Sequence, residues 1–474
     1  MISLSKGGPS LALLIAPLTF GQAEFQIIGE EFPVGFRCGA VSADGTTVVG
    51  WLDSNEAFRW DAERGPETIP RLEFATDVSA DGSFIVGRVM AILQPDPADP
   101  TVRIDGLRAA RRGPTGDIDV LGALREPEFI NDRWNAFSSV AHGISADGTV
   151  VVGSATGPTG PNQAFRWVEG EGIASISQIE SSFALFEEFD ILVRSEARAV
   201  SADGNVVAGS AVTPMSPSIL DSLATRWTES EFMVELEIDP AVQKSGARGI
   251  SDDGQVLVGV AQRPIGEDPS GTKLFTSEAM LWRSDGTATI LLPERSIAIA
   301  ASGDGSTLVG VTSVGATDFD TAFIWTESAG AGLLEEVLAQ EYGVSTGGWT
   351  LTAARDVSRD GRTIVGDAVD PAGSEKVFVV QLPPLEEVPA CSPADITSAG
   401  VTWSPSIDSS IPDGRADLSD LGFLLLAWLN LDARYADITT TGAGIEGAQG
   451  YLTPDGNVDL DDLGVFLSVW LLGC

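Results

Sequence analysis

A single histidine, His142, occurs in the 474 residues. That excludes metal sites built on several imidazoles. It also routes any Ser-His-Asp or Cys-His mechanism through one residue. Basic side chains are scarce: 28 Lys and Arg stand against 68 Asp and Glu, for a formal net charge of −40. A chain with that charge repels phosphate backbones, so it excludes nucleic acid as a partner and disfavours an anionic membrane surface. The lysines are only Lys6, Lys244, Lys273 and Lys376. Such an acidic, lysine-poor surface stays soluble in salty water. There is no Gly-rich phosphate loop, no Cys-x-x-Cys and no nucleophile elbow. No stretch reaches the ~18 uninterrupted apolar residues of a transmembrane helix. What the chain does have is a 43% hydrophobic content, enough for a packed core, and 53 glycines, which favour many turns over a helical bundle. The length allows two or three domains or one large repeat fold.

Residues 1–23 carry the three parts of a secretory signal peptide. Lys6 supplies a positive start, Leu11–Phe20 (LALLIAPLTF) a short apolar run, and Gly21-Gln22-Ala23 the small residues for cleavage after Ala23. The apolar run is too short to span a bilayer. The sequence therefore predicts a secreted, extracellular product in which disulfides are permitted.

Self-similarity fills most of the remainder. A Ser-x-Asp-Gly tetrapeptide followed by a β-branched run and Gly recurs at Ser42, Ser79, Ser145, Ser201, Ser251, Ser302 and Ser358. The spacings are 37, 66, 56, 50, 51 and 56 residues. A second element follows each turn: AFRW at Ala57 and Ala164, ATRW at Ala224, AMLW at Ala279 and AFIW at Ala322, degraded to GLRAARR after Gly106 and KVFVV after Lys376. A weaker apolar strand follows most copies, as at Asp117–Leu121, Gly172–Ile179 and Thr287–Leu292.

The local chemistry explains the pattern. Asp-Gly between β-branched runs is a hairpin signal, because Gly takes positive φ without steric cost. The preceding Ser bonds its own turn. Hairpin, AFRW strand and third strand make a four-stranded sheet, with the Trp packed between neighbouring sheets. The last repeat stops at Val377–Leu382 without a fourth strand, while Phe25–Ile28 is an orphan strand at the start. Pairing the two closes a ring and removes open sheet edges. The expected fold is an all-β seven-bladed β-propeller over residues 24–383. An open β-solenoid and two smaller sheets are the alternatives.

The unit GISADGTVVVGSA…AFRW resembles the HAF-type repeat of bacterial secreted proteins over about three quarters of the chain. The resemblance implies a secreted, propeller-like domain and no particular activity.

The seven turn Asp residues invite a catalytic or calcium reading. Their repetition in every unit fits turn formers better, since a catalytic pair is used once. They resemble the Asp-box of sialidases, but Gly follows Asp directly and no Trp ends the motif; that box is itself structural. His142 sits before the third turn, where other repeats carry residues such as Arg and Thr, and reads as a surface or loop residue rather than a general base. The Arg of the second element (Arg59, Arg166, Arg226) is expected to bond a neighbouring blade's carboxylate. Carboxylates are plentiful enough for a glycosidase-type pair, but the sequence does not choose one.

Composition shifts after Leu382. Residues 384–390 read as a semi-rigid linker, and residues 391–474 repeat internally at 42 residues without a gap. Residues 395–429 share 15 identities in 35 positions with the second copy. In a twelve-residue calcium loop the oxygen ligands sit at positions 1, 3, 5, 7, 9 and 12, with Gly at 6. Setting Gly414 and Gly456 at 6 puts Asp413 and Asp455 at 5, Asp417 and Asp459 at 9, and Asp420 and Asp462 at 12. Arg415 and Asn457 then offer backbone carbonyls at 7. Leu421, Leu424, Leu425 and Trp428, and their counterparts Leu463, Phe466, Leu467 and Trp470, follow at helical spacing. Turn-forming Asp residues that cap a helix without metal are the alternative.

ADITTTGAG, the two Pro-Asp-Gly turns, the D-x-x-D pairs, the Trp and the final Gly473-Cys474 resemble a GC-type dockerin, a small α-helical duplicated module. The resemblance implies two Ca2+ ions and a cohesin-like or surface partner. Positions 1 and 3 depart from the usual loop, with Ser409 and Ile411 in one copy and Tyr451 and Thr453 in the other. Asp395 and Asp437, each 18 residues before the Asp of its turn, stand in for the missing carboxylates. Cys391 and Cys474 bracket the module and are expected to bond to each other, a closure that stabilises by roughly 4 kcal/mol; small paired helices need such help. Cys38 is then left unpaired and buried in the first blade.

Two functions fit. The first is a secreted, non-catalytic binding or structural protein. Its propeller recognises or displays a carbohydrate or protein ligand, and its dockerin-like module anchors it at the cell surface. The second is a secreted carbohydrate-active enzyme of glycosidase or lyase type, targeted by the same module. Two or three non-repeated carboxylates on one rim, near a Trp or Tyr, would favour the second. Substituting Asp437→Ala is expected to weaken calcium binding at one site by about tenfold or more; a calorimetric titration with unchanged affinity removes Asp437 from the ligand set.

Overall fold

The structure is a computed structural model that describes residues 23–30, 35–93, 101, 104–130, 133–135, 137–157, 162–177, 194–212, 221–267, 271–293, 295–313 and 320–383. The chain divides into two units, Met1–Pro383 and Pro384–Cys474. The expected leader up to Gln22, the expected linker, every expected calcium ligand and the expected Cys391–Cys474 pair lie outside the described residues.

The first unit is an all-β propeller. Five antiparallel four-stranded sheets and one seven-stranded sheet account for nearly all of its strands. The repeat at Ser145 shows how one sheet is made. Strands Ser139–Ile144, Val150–Thr156, Asn162–Val168 and Gly172–Ser175 follow one another as a meander. The first two are the hairpin around Ser-Ala-Asp-Gly and the third is the AFRW strand. In the seven-stranded sheet a single 14-residue strand, Gly65–Val78, belongs to two successive repeats. It turns at Arg71 and Phe74, two non-glycine residues with φ of 72° and 53°. One short helix, Leu334–Glu341, was not foreseen; Leu334 and Leu338, one turn apart, are its buried pair.

The turn chemistry is uniform. Ser145 Oγ donates to Asp147 Oδ1 at 2.7 Å and accepts the Val150 N–H at 2.9 Å. Asp147 Oδ1 accepts the Thr149 N–H at 3.0 Å. Gly148, at φ 77°, donates to the Ser145 carbonyl at 3.0 Å. All seven turn serines are buried. Each hydroxyl satisfies a strand N–H that would otherwise be orphaned, worth about 1–3 kcal/mol if left unmade.

Neighbouring turns are then tied to each other. The N–H of Ala80 donates to the Ala146 carbonyl, Ala146 to Ala202, Ala202 to Asp252, Asp252 to Gly303, and Gly303 to Arg359, all at 2.9–3.0 Å. Arg359 donates to Ala43 at 3.1 Å, and Asp44 to Ala80 at 3.4 Å, which brings the circuit back to its start. The ring is also closed at the termini. Strand Glu24–Ile28 pairs antiparallel with Glu375–Gln381, Phe25 opposite Val380, as the orphan strand required.

Aromatic side chains fill the space between sheets. Trp60 packs with Val365 and Val377, Trp282 with Ala208 and Ala224, and Trp227 against Val152 and Ala164, so each Trp sits on the preceding repeat. Phe58, Phe165, Phe323 and Phe378 are fully buried beside the glycine that ends each β-branched run. At Gly153 a Cβ would lie 2.0 Å from the Val140 carbonyl oxygen and 2.8 Å from the Phe165 ring. Neither neighbour can retreat, one being backbone and the other a core ring. Gly153→Ala is therefore expected to cost roughly 3 kcal/mol. A clear drop in calorimetric Tm checks it; a Tm equal to wild type would show that the sheet opens freely there.

Candidate functional site in the central channel

The innermost strand of each repeat leads into its turn, and three residues before the turn serine it carries an extra residue. Pairing skips Gly39, His142, Arg198, Arg248, Ile299 and Arg355, each the unpaired member of a β-bulge. Thr76 holds the same place in the seven-stranded sheet, inside a register shift. Bulges re-aim side chains and recur next to functional sites. Here the seven residues form a collar. All seven line a cavity of about 260 Å³ on the turn side. All seven also line a second one of about 470 Å³, which adds Arg37, Cys38, Trp51 and Asp367.

The collar is basic in a strongly acidic chain. Arg198 pairs with Glu196 at 2.9 Å, and Arg355 with Asp367 at 2.7 Å. His142 Nε2 lies 3.2 Å from Glu196 Oε1 and 3.2 Å from Ser154 Oγ. Burial pushes the Glu196 carboxyl up, but the His142 hydrogen bond and the Arg198 charge outweigh it and bring it down to about 2. Among the described residues Arg248 has no hydrogen bond or ion pair. Burial first, and the Arg198 charge second, push its guanidinium below the ordinary value. At the turn end Arg359 forms an ion pair with Asp252 across Gly303.

Two carboxylates that do not repeat, Asp77 and Asp356, line the turn-side cavity one residue beyond the collar. They brace neighbouring inner strands. Asp77 accepts the N–H of Ile144 at 2.8 Å and of Val78 at 2.8 Å. Asp356 accepts those of Val41 at 2.8 Å and Val357 at 2.9 Å. Every oxygen of the pair thus holds a backbone donor. Burial, with the Asp356 charge second, raises Asp77 to about 7. Burial raises Asp356 to about 6 against its two N–H bonds.

Several expectations change. His142 is not a loop residue: it stands on the strand Ser139–Ile144 and faces the channel. Arg166 bonds the Gly204 carbonyl of the next turn at 3.1 Å rather than a carboxylate. Arg226 pairs within its own repeat, with Glu231 at 2.7 Å. Arg59 does likewise, 3.9 Å from Asp61. The neighbour's carboxylate is reached instead by Arg111 of the degraded copy, which contacts Glu169 at 3.3 Å and lies over Phe84 and Trp167. The turn Asp residues act in their turns: the Ser201 hydroxyl, for one, holds Asp203 below the usual carboxylate range. Cys38 is buried with a free thiol, pushed up by burial and then by Asp367. Sequence reasoning missed Arg198, Arg248 and Arg355. The signal was three arginines at one position of the repeat; that position is legible in the sequence, but the bulge that turns it into the channel is not.

No protein-family model matches the chain, and no curated protein does. Solved structures similar to it include TolB from Acinetobacter baumannii, at 10% identity over 74% of this chain and 80% of that one, with a TM-score of 0.34. The tricorn protease is similar at 10% identity over 76% of this chain and 34% of its own, with a TM-score of 0.43. A prolyl endopeptidase is similar at 12% identity over 74% and 47%, with a TM-score of 0.39. Likeness at that level carries no functional argument. Among the described residues no helix is long and apolar enough to cross a membrane.

The raised carboxyls give stability a sign. Both titrate above the ordinary 3.8, so the folded chain holds protons that the unfolded chain releases between pH about 4 and 7. Their contribution is greatest in acid and is lost as pH rises through that window. The Tm of the wild type is expected to fall between pH 5 and 7.5. In Asp77→Asn/Asp356→Asn that slope is expected to flatten; a double variant with the wild-type slope would place the titration elsewhere.

Proposed function

We propose that the chain is an exported, non-catalytic recognition protein: a seven-bladed propeller of the HAF-repeat type, carried by a calcium-dependent, dockerin-like anchor. One observation carries the reading. The repeat keeps its Ser-x-Asp-Gly turn and the glycine after its β-branched run in all seven copies, while the collar position changes from copy to copy: Gly39, Thr76, His142, Arg198, Arg248, Ile299, Arg355. A rigid ring with a variable lumen suits selective binding. Seven linked turns and the strand pairing between residues 24–28 and 375–381 support the blade count.

A glycosidase in the channel would need two carboxyl groups free to meet substrate. Asp77 and Asp356 are committed to backbone N–H donors on both oxygens, which weighs for binding. The anchor rests on the duplicated Asp pattern of residues 391–474, with a cohesin-like or surface protein as its partner. Calorimetric titration of Ca2+ into the full chain is expected to give two sites, with Asp420→Ala and Asp462→Ala each removing one. A chain that takes up no calcium would leave the anchor without a physical basis.

A further inference from the structure

We propose that the arginine collar is a binding site for a small multivalent oxyanion, seated in the larger compartment of the channel. The inference deepens the recognition reading, on which it rests, by naming the class of ligand.

Three guanidinium groups reach one lumen from three different inner strands, Ser195–Val200, Lys244–Ile250 and Thr350–Val357. Each stands on a bulge, so the backbone sets the direction in which its side chain leaves the strand. Gathering like charges in a partly enclosed space is unfavourable unless counter-charge is supplied. The protein supplies part of it, through Glu196 to Arg198 and Asp367 to Arg355. It supplies no direct partner to Arg248 among the described residues.

Two arginines outside the collar show the contrast. Arg111 has Asp119 and Glu169, and Arg263 has Asp239 and Glu278. Glu196 attracts Arg248 only through space and is already bonded to Arg198, so the three arginines outnumber the carboxylates bonded to them, an imbalance that suits an anionic ligand.

Geometry narrows the class. The compartment of about 470 Å³ admits a small molecule rather than a folded partner. Guanidinium forks match planar carboxylates and tetrahedral phosphate or sulfate by paired N–H bonds. Trp51 and Arg37 line the same compartment, so a ligand with an apolar or sugar body has a surface to lie against. Carboxylate, phosphate and sulfate share this chemistry, and the experiment separates them.

The full chain is titrated calorimetrically, at low ionic strength, with citrate, inorganic phosphate and sulfate in turn. Saturable binding of at least one is expected, and the tightest names the source. Arg248→Gln is expected to weaken it about tenfold or more. Arg248 is exposed and makes no hydrogen bond or ion pair among the described residues, so this variant is expected to fold with a Tm close to wild type. Ile299→Glu, which puts a carboxylate in the collar, is expected to abolish binding, while the exposed Arg64→Gln is expected to leave it unchanged. No saturable binding of any of the three, or equal binding by Arg248→Gln, overturns the inference. Calcium uptake is read on separate, anion-free samples of the same preparation, because citrate and phosphate bind Ca2+. If it persists while anion binding fails, the collar inference falls alone and the anchoring half of the recognition reading remains.

Discussion

Each turn is joined to the next by a single backbone hydrogen bond, and the architecture follows from that link. In six of the seven links it asks of the second residue of Ser-x-Asp-Gly only its N–H and its carbonyl; in the seventh the donor is Asp44, the third residue. Ala, Asp, Gly and Arg all serve at the second position. What it demands is that the inner strands converge. The convergence explains the buried serines, which take over strand N–H groups that water cannot reach. It explains the glycine ending each β-branched run, where a carbonyl comes within 2.1 Å of the missing Cβ in six copies. It also explains the bulges, which absorb a residue that the narrowing pair cannot accommodate. The lumen is thus lined by whatever the bulge expels.

The hairpins, the second-element strands and the closing pair were legible because each is written locally: Asp-Gly for the turn, alternation for the strand, an unmatched strand at each end. The 14-residue strand Gly65–Val78 was not. Its sequence, GPETIPRLEFATDV, carries no Gly or Asn at Arg71 or Phe74, where the backbone takes positive φ. The helix Leu334–Glu341 is a two-turn segment whose signal is one i, i+4 leucine pair, weak against an all-β background. Asp77 and Asp356 could not be placed either. A carboxylate braces two strands only when the register of both is known, and that register contains the bulge. His142 showed the same limit: its position in the repeat was readable, its direction was not.

The charge distribution has two scales. The outside of the chain is dominated by carboxylates, giving the formal −40. Its long-range field holds anions away, and salt screens that field over about 10 Å at moderate ionic strength. Inside the collar the nearest charges are guanidinium groups, and local Coulomb terms in a partly enclosed lumen outweigh distant screened ones. Recognition in such a chain is therefore short-ranged: an anion gains nothing until it is within the mouth.

The pairing of residues 24–28 with 375–381 has a kinetic meaning as well as a structural one. The contact joins positions about as far apart in sequence as this unit allows, so its loop-closure entropy is the largest in the fold. Neighbouring sheets form early from local hairpins, but the circle stays open until the last strand has been made and finds the first. Until then the ring ends in two unpaired edges, the state most open to pairing with another chain. A vectorially emerging chain carries that open ring for nearly its whole synthesis, and its first strand must wait, unpaired, for its last.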